Sequence, residues 1–125
     1  MNYVIIGNGV AAIGAVESVR EIDKTGSITM ISAEPYKAYG RPLIADLLSG
    51  KIAEKDIYYR SDDFYASHKV RLLLGQRAAA IEVEKKRMVL EGGGAVSFDR
   101  LLIATGGIPF VPPIKGNAGG GVYTF

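Results

Sequence analysis

Apolar residues follow more than one rhythm along the chain, and each rhythm predicts an element. They are continuous from Tyr3 to Ile6, break at Gly7-Asn8-Gly9, and then recur at Val10, Ile13, Val16, Val19 and Ile22. A short continuous run predicts a strand and a recurrence every third or fourth position predicts a helix face, so the opening reads as strand, tight turn, helix. That helix is expected to end near Lys24-Thr25-Gly26, with a second short strand at Ile28, Met30 and Ile31. Pro42 suits a first helical turn, Leu43, Ile44, Leu47 and Leu48 supply an apolar stripe after it, and Gly50 is a stop. Ser61 before Asp62 and Asp63 predicts a cap and acidic first turn for a short helix over residues 62–67.

The rhythm changes again in the second half. Val70 to Leu74 is a compact apolar run ending at Gly75. Shorter runs follow at Ala78, Ala80 or Ile81, and Val83, then Met88 to Leu90, then Ala95 to Phe98. Turns at Glu84 to Lys86 and at Gly92-Gly93-Gly94 separate them, which predicts a three-stranded antiparallel meander in place of a crossover helix. Leu101-Leu102-Ile103-Ala104-Thr105-Gly106-Gly107 then reads as a buried-type strand stopped by glycines, and the Pro- and Gly-rich remainder as an exit without regular structure until Val122 to Phe125. The fold class is therefore α/β: a Rossmann-like open parallel sheet containing a β-α-β unit, with the meander as crossover.

Composition narrows the picture. A chain of 125 residues, 48% hydrophobic and 22% charged, is the size of one ordinary globular domain. A net charge of +2 gives no case for nucleic acid, and Lys85-Lys86-Arg87 between two apolar runs reads as a solvated hairpin turn. Glycines interrupt the apolar start long before a membrane span could form and no basic leader precedes it, so a cytoplasmic protein is expected. Cysteine is absent, which excludes disulfides, thiolate metal sites and a redox dithiol within these residues. The single histidine, His68, falls at a predicted helix end without ligating partners; neither a metal site nor a proton-transfer residue is assigned. Tyr58, Tyr59, Phe64 and Tyr65 read as packing.

The candidate chemistry lies at the glycines. Gly7, Gly9 and Ala12 hold the three small positions of G-x-G-x-x-G/A: Gly7 for the turn, Gly9 for approach of a pyrophosphate to the backbone, Ala12 for close packing of helix on strand. The free N–H groups opening the helix, around Val10 and Ala11, combine with its dipole into an anion site. Glu34 stands just past the second strand, where a carboxylate accepts the hydroxyls of an adenosine ribose and repels a 2′-phosphate, favouring FAD or NAD over NADP. Arg41, at the mouth of a helix, can reach a phosphate or a flavin edge, or equally serve as a surface ion-pair partner.

GNGVAA, Glu34, YGRP, the meander and LLIATGG in this order closely resemble the N-terminal part of the FAD-dependent pyridine nucleotide-disulfide oxidoreductases, over the whole chain. The absence of cysteine from residues 39–48 directs the resemblance to the branch without a redox disulfide: rubredoxin reductases, ferredoxin-reductase components and NADH-dependent nitrite reductases. The resemblance implies that FAD is the nucleotide held. Gly7 to Ala12 match the pyrophosphate loop, Glu34 the ribose acid, Arg41 and Pro42 the segment beside the flavin, Ala78 the adenine contact, and Ala104, Thr105 and Gly106 a second nucleotide-contacting turn.

It also implies NAD(P)H as cosubstrate and a small electron-transfer protein as partner. On this reading residues 1–110 are the N-terminal part of an FAD-binding domain and 111–125 an exit segment. The NAD(P)H and C-terminal domains are not in this chain. Turnover by the 125 residues alone is not expected, and an uncovered sheet flank is expected to promote self-association. A stand-alone dinucleotide-binding module and the NAD-binding domain of a dehydrogenase are the rival readings.

Overall fold

The computed structural model describes residues 1–116 and Tyr123; the regular element expected over Val122 to Phe125 lies, apart from Tyr123, outside the described residues. Strand β1 (Asn2–Ile6), helix α1 (Val10–Ile22) and strand β2 (Ser27–Ile31) open the chain. Helices α2 (Ile44–Leu48) and α3 (Phe64–Ser67) precede β3 (Val70–Leu73), and 3₁₀ turns form at Arg41–Leu43 and Glu54–Asp56. Strands β4 (Ala78–Glu82), β5 (Arg87–Leu90) and β6 (Ala95–Ser97) make the antiparallel meander before β7 (Arg100–Ile103).

The parallel sheet has the order β3-β2-β1-β7, with Ile6 opposite Ile31 on one side and Ile103 on the other. Alternation along a strand sends successive side chains to opposite faces. Ile5, Ile28 and Met30 accordingly join Ala12, Ile13, Val16, Phe64 and Tyr65 in a core on the helical side. Val4, Ile6 and Ile31 meet Met88 on the meander side, with Leu73, Ala78, Ile81, Leu90 and Val96 around them. The meander thus covers the second face of the sheet, as a crossover helix otherwise would.

Several local expectations need correction. The face of α1 is Ala12, Ile13 and Val16 with Val19 packed on it, whereas Val10 and Ile22 are exposed. Steps of three residues fall about 60° short of a full turn each time, so five such positions cannot stay on one face. In β4 a register shift between Ala78 and Ala80 brings Ile81 rather than Ala80 inward, and Val83 lies exposed beyond the strand.

α3 is shorter than expected. Ser61 supplies its carbonyl to the Phe64 N–H, while its hydroxyl donates to Asp63 Oδ1 at 2.6 Å instead of capping the backbone. No residue of α2 is buried, so its apolar stripe packs on none of the described residues fully. β7, expected as a buried strand, contributes only Leu101 to a core among the described residues; Leu102 and Ile103 are exposed because no described strand pairs with the far side of β7. Of the basic run, Lys85 and Lys86 form the β4–β5 turn as expected, Lys86 at φ 47°, whereas Arg87 opens β5 and bonds Glu82 Oε2 at 2.6 Å through Nη2.

Among the described residues, no helix is long and apolar enough to cross a membrane, and no cluster of His, Cys, Asp and Glu could hold a metal ion.

Candidate functional site

The glycine loop sits where β1 ends between β2 and β7. The Gly7 N–H bonds the Ile31 carbonyl at 2.8 Å and the Ala104 N–H bonds the Ile6 carbonyl at 2.7 Å, which ties all three strand ends together. Gly7 has φ 116°, and a Cβ there would collide with the Ala104 carbonyl. Its smallness is therefore demanded twice, by backbone conformation and by the neighbouring strand exit. Thr105 and Gly106 follow directly, so the second glycine turn lies against the first, on the edge predicted for ligands.

Gly9 differs. It is the N-cap of α1 at φ −99° and ψ −171°, a conformation open to any residue, and a Cβ there would meet nothing within 4 Å. Among the described residues no contact requires glycine at this position, and a small residue there leaves the space above the helix start clear. The first intrahelical bond runs from the Ile13 N–H to the Gly9 carbonyl, leaving the N–H groups of Val10, Ala11 and Ala12 directed out of the helix end. The first turn carries no acidic residue and the N-cap no side-chain hydrogen bond, so that positive end is not neutralised from within the helix. Ala12 is fully buried, as close packing of α1 on the sheet demands.

Asn8, between the glycines, is a residue whose role sequence reasoning missed. Its Oδ1 accepts from the Tyr65 hydroxyl at 2.8 Å, and its Nδ2 donates to the Tyr36 carbonyl at 3.2 Å. The same Tyr65 oxygen accepts from the Ala38 N–H at 3.1 Å. One buried phenol thus joins the glycine loop, α3 and the loop after β2. An asparagine inside a glycine turn offers no hint of a partner 57 positions away.

Glu34 lies just beyond β2, with its carbonyl accepting from the Gly75 N–H at 3.2 Å, so the approach to Ala78 runs beside it. Ala78 itself turns into the meander core. The Glu34 carboxylate receives the Tyr39 hydroxyl on Oε2 at 3.0 Å and Arg41 Nη2 on Oε1 at 2.9 Å. Burial, and next the bond to Glu34, push the Tyr39 phenol above its ordinary pKa, so it remains a proton donor at neutral pH. Arg41 thereby takes the ion-pair option left open by sequence. Pro42 sits exposed in the 3₁₀ turn behind it. Bonds from the Gly40 N–H to the Ile57 carbonyl (2.8 Å) and from the Tyr59 N–H to the Ala38 carbonyl (2.8 Å) anchor this segment.

A parallel β-α-β unit, a glycine loop opening onto a free helix end, and an acid after β2 together place the chain in the class of Rossmann-like α/β folds. The chain belongs to the pyridine nucleotide-disulphide oxidoreductase family, whose model matches residues 1–125. It is 32% identical to the NAD(P)H nitrite reductase of Bacillus subtilis strain 168 over 98% of this chain and 15% of that protein. With putidaredoxin reductase of Pseudomonas putida the identity is 32%, over 99% of this chain and 30% of the relative. The crystal structure of the covalent putidaredoxin reductase–putidaredoxin complex superposes with a TM-score of 0.83 at 31% identity, over 90% of this chain and 27% of that one. The chain therefore spans less than a third of the length of these relatives.

Proposed function

We propose that this chain is the N-terminal part of the FAD-binding unit of an NAD(P)H-dependent flavoprotein reductase, passing electrons to a small redox protein or another acceptor. One observation carries the reading: the Gly9 Cβ position faces open space above an uncompensated helix N-terminus, while the described residues give no reason for glycine there. A pyrophosphate fits that space and that charge. Gly7, Gly9, Val10, Ala11 and Ala12 would hold it, Glu34 would accept the ribose hydroxyls, and Ala78 would border the adenine. Ala104, Thr105 and Gly106 would line the neighbouring edge, and Arg41-Pro42 would run toward the flavin.

FAD, when bound, supplies the hydride acceptor and the electron relay, and the protein supplies orientation and electrostatics. These residues contain no cysteine, so no thiol relay is drawn from them. A small electron carrier as acceptor is supported by the likeness to the putidaredoxin reductase complex. The exposed Leu102 and Ile103 on the edge strand support self-association of the chain.

Flavin absorbance per chain after gel filtration tests the reading. The chain is expected to bind FAD and ADP weakly, because the residues it supplies serve mainly the adenosine and pyrophosphate half, and to elute larger than a monomer. Gly9→Val is expected to abolish nucleotide binding while leaving the helix content intact, since the added side chain occupies only the open space. Unchanged affinity in a folded Gly9→Val protein would move the ligand elsewhere. Tight binding of NAD without FAD would favour the dehydrogenase reading, and a yellow monomer with one firmly held FAD per chain would favour a self-sufficient module.

A further inference from the structure

Tyr39 and Arg41 aim two donors at one place. The phenol reaches Glu34 Oε2 at 3.0 Å and the guanidinium reaches Oε1 at 2.9 Å. The guanidinium carbon also stands 5.6 Å from the centre of the Tyr39 ring, so the donors hold each other as well as the carboxylate. Both rest on the backbone bridge between Tyr39 and Tyr58 and the Gly40–Ile57 bond, which do not depend on Glu34. Among the described residues Glu34 is the only ion-pair partner of Arg41. The two side chains remain 44% and 62% exposed, so another anion could reach the same donors from solvent.

The carboxylate therefore does more than present oxygens. It neutralises an arginine that would otherwise be available, and an arginine near this acid is the group that accommodates a 2′-phosphate in dinucleotide sites. Resting on the reading of Glu34 as the adenosine-ribose acid, we propose that Glu34, Tyr39 and Arg41 form one selectivity unit in which the carboxylate keeps a latent phosphate site closed. With Glu34 in place the unit takes an adenosine bearing a free 2′-hydroxyl. With the carboxylate removed, Tyr39 O–H and the Arg41 fork are two converging donors without an acceptor, and the 2′-phosphate of a phosphorylated adenosine supplies it.

The test compares 5′-AMP with adenosine 2′,5′-bisphosphate, which differ only in the 2′-phosphate, by amide NMR titration of the 125-residue chain; the spectrum also reports the fold. The wild-type chain should favour 5′-AMP, with shifts at residues 7–12. Glu34→Ala should bind the bisphosphate about tenfold or more tightly than the wild type does, the scale of one charge-assisted bond. Glu34→Gln, which keeps the volume, serves as the second variant. Adding Arg41→Met should remove the gain.

A folded Glu34→Ala chain without the gain would overturn the inference while leaving the nucleotide site standing, provided 5′-AMP still shifts residues 7–12 of the wild type. A gain that survives Arg41→Met would reduce the effect to lost repulsion and overturn it equally. If 5′-AMP perturbs none of those residues in the wild type, the proposed function itself falls, and the inference with it.

Discussion

The glycine loop and the segment from Arg41 to Leu48 flank the same candidate site, yet one is set by packing and the other by polar contacts near the surface. Gly7 is pressed between β1 and the exit of β7, and Ala12, Ile13 and Val16 behind it are fully buried. The Arg41–Leu48 segment buries no residue, and is tied in through Glu34, Tyr39 and the backbone bonds of residues 38–40 to residues 57–59. The difference teaches that the packed side, at Gly7 and at Ala12, Ile13 and Val16, tolerates no change in volume, whereas the ribose-facing side tolerates volume and responds to charge and salt. Exposed ion pairs are screened by salt and buried packing is not.

Gly7→Ala attacks the packed side at its tightest point. The new methyl meets the Ala104 carbonyl in a backbone conformation that alanine avoids, and the expected loss is on the order of 3 kcal/mol or more, read by urea denaturation. A stability near wild type would show that β7 can move away from the loop, and the contrast would weaken.

The same comparison can be sharpened with a pair of truncations. Ile13→Ala, at a side chain 0% exposed, should cost roughly 2–5 kcal/mol, whereas Leu48→Ala, at 73% exposed, should stay within about 0.5 kcal/mol. Equal costs would mean that the α2 stripe packs on something in solution.

The smallest effect concerns acid stability. Asp23 caps the turn after α1, accepting from the N–H groups of Gly26 at 2.7 Å and Thr25 at 3.0 Å, and these bonds hold its carboxyl down at about 2. Its unfolded value is about 3.9, so the folded state binds fewer protons between the two values. The stabilisation is complete above pH of about 4 and is lost as the pH falls toward 2. Thermal midpoints of Asp23→Asn and the wild type should therefore converge on acidification; a gap that stays constant from pH 6 to about pH 2 would assign the carboxylate no such role.

Much of the fold was legible because it is written in neighbouring residues. Periodicity, glycine placement and turn composition marked β1, α1, β2, the meander and β7, each a matter of local backbone preference. The candidate loop was legible for the same reason, since its glycines act over six consecutive positions, Gly7 to Ala12. What stayed hidden involved partners distant in the chain or the order of strands in space. Asn8 and Tyr65 are 57 positions apart, and nothing local declares their bond. That Leu102 and Ile103 are exposed follows from β7 being the last strand of the sheet among the described residues, which no run of apolar residues reveals.

The amino-acid sequence by itself thus determined where strands and helices form, and that a small-residue loop followed by an acid would present backbone N–H groups and a carboxylate. Only the tertiary structure decided that Gly7 owes its identity to the Ala104 carbonyl, and that Glu34 shares its carboxylate with Tyr39 and Arg41. The physical reason is one of range: backbone conformation is chosen by residues a few positions apart, whereas collisions and shared hydrogen bonds arise only when the sheet brings separate segments to one edge.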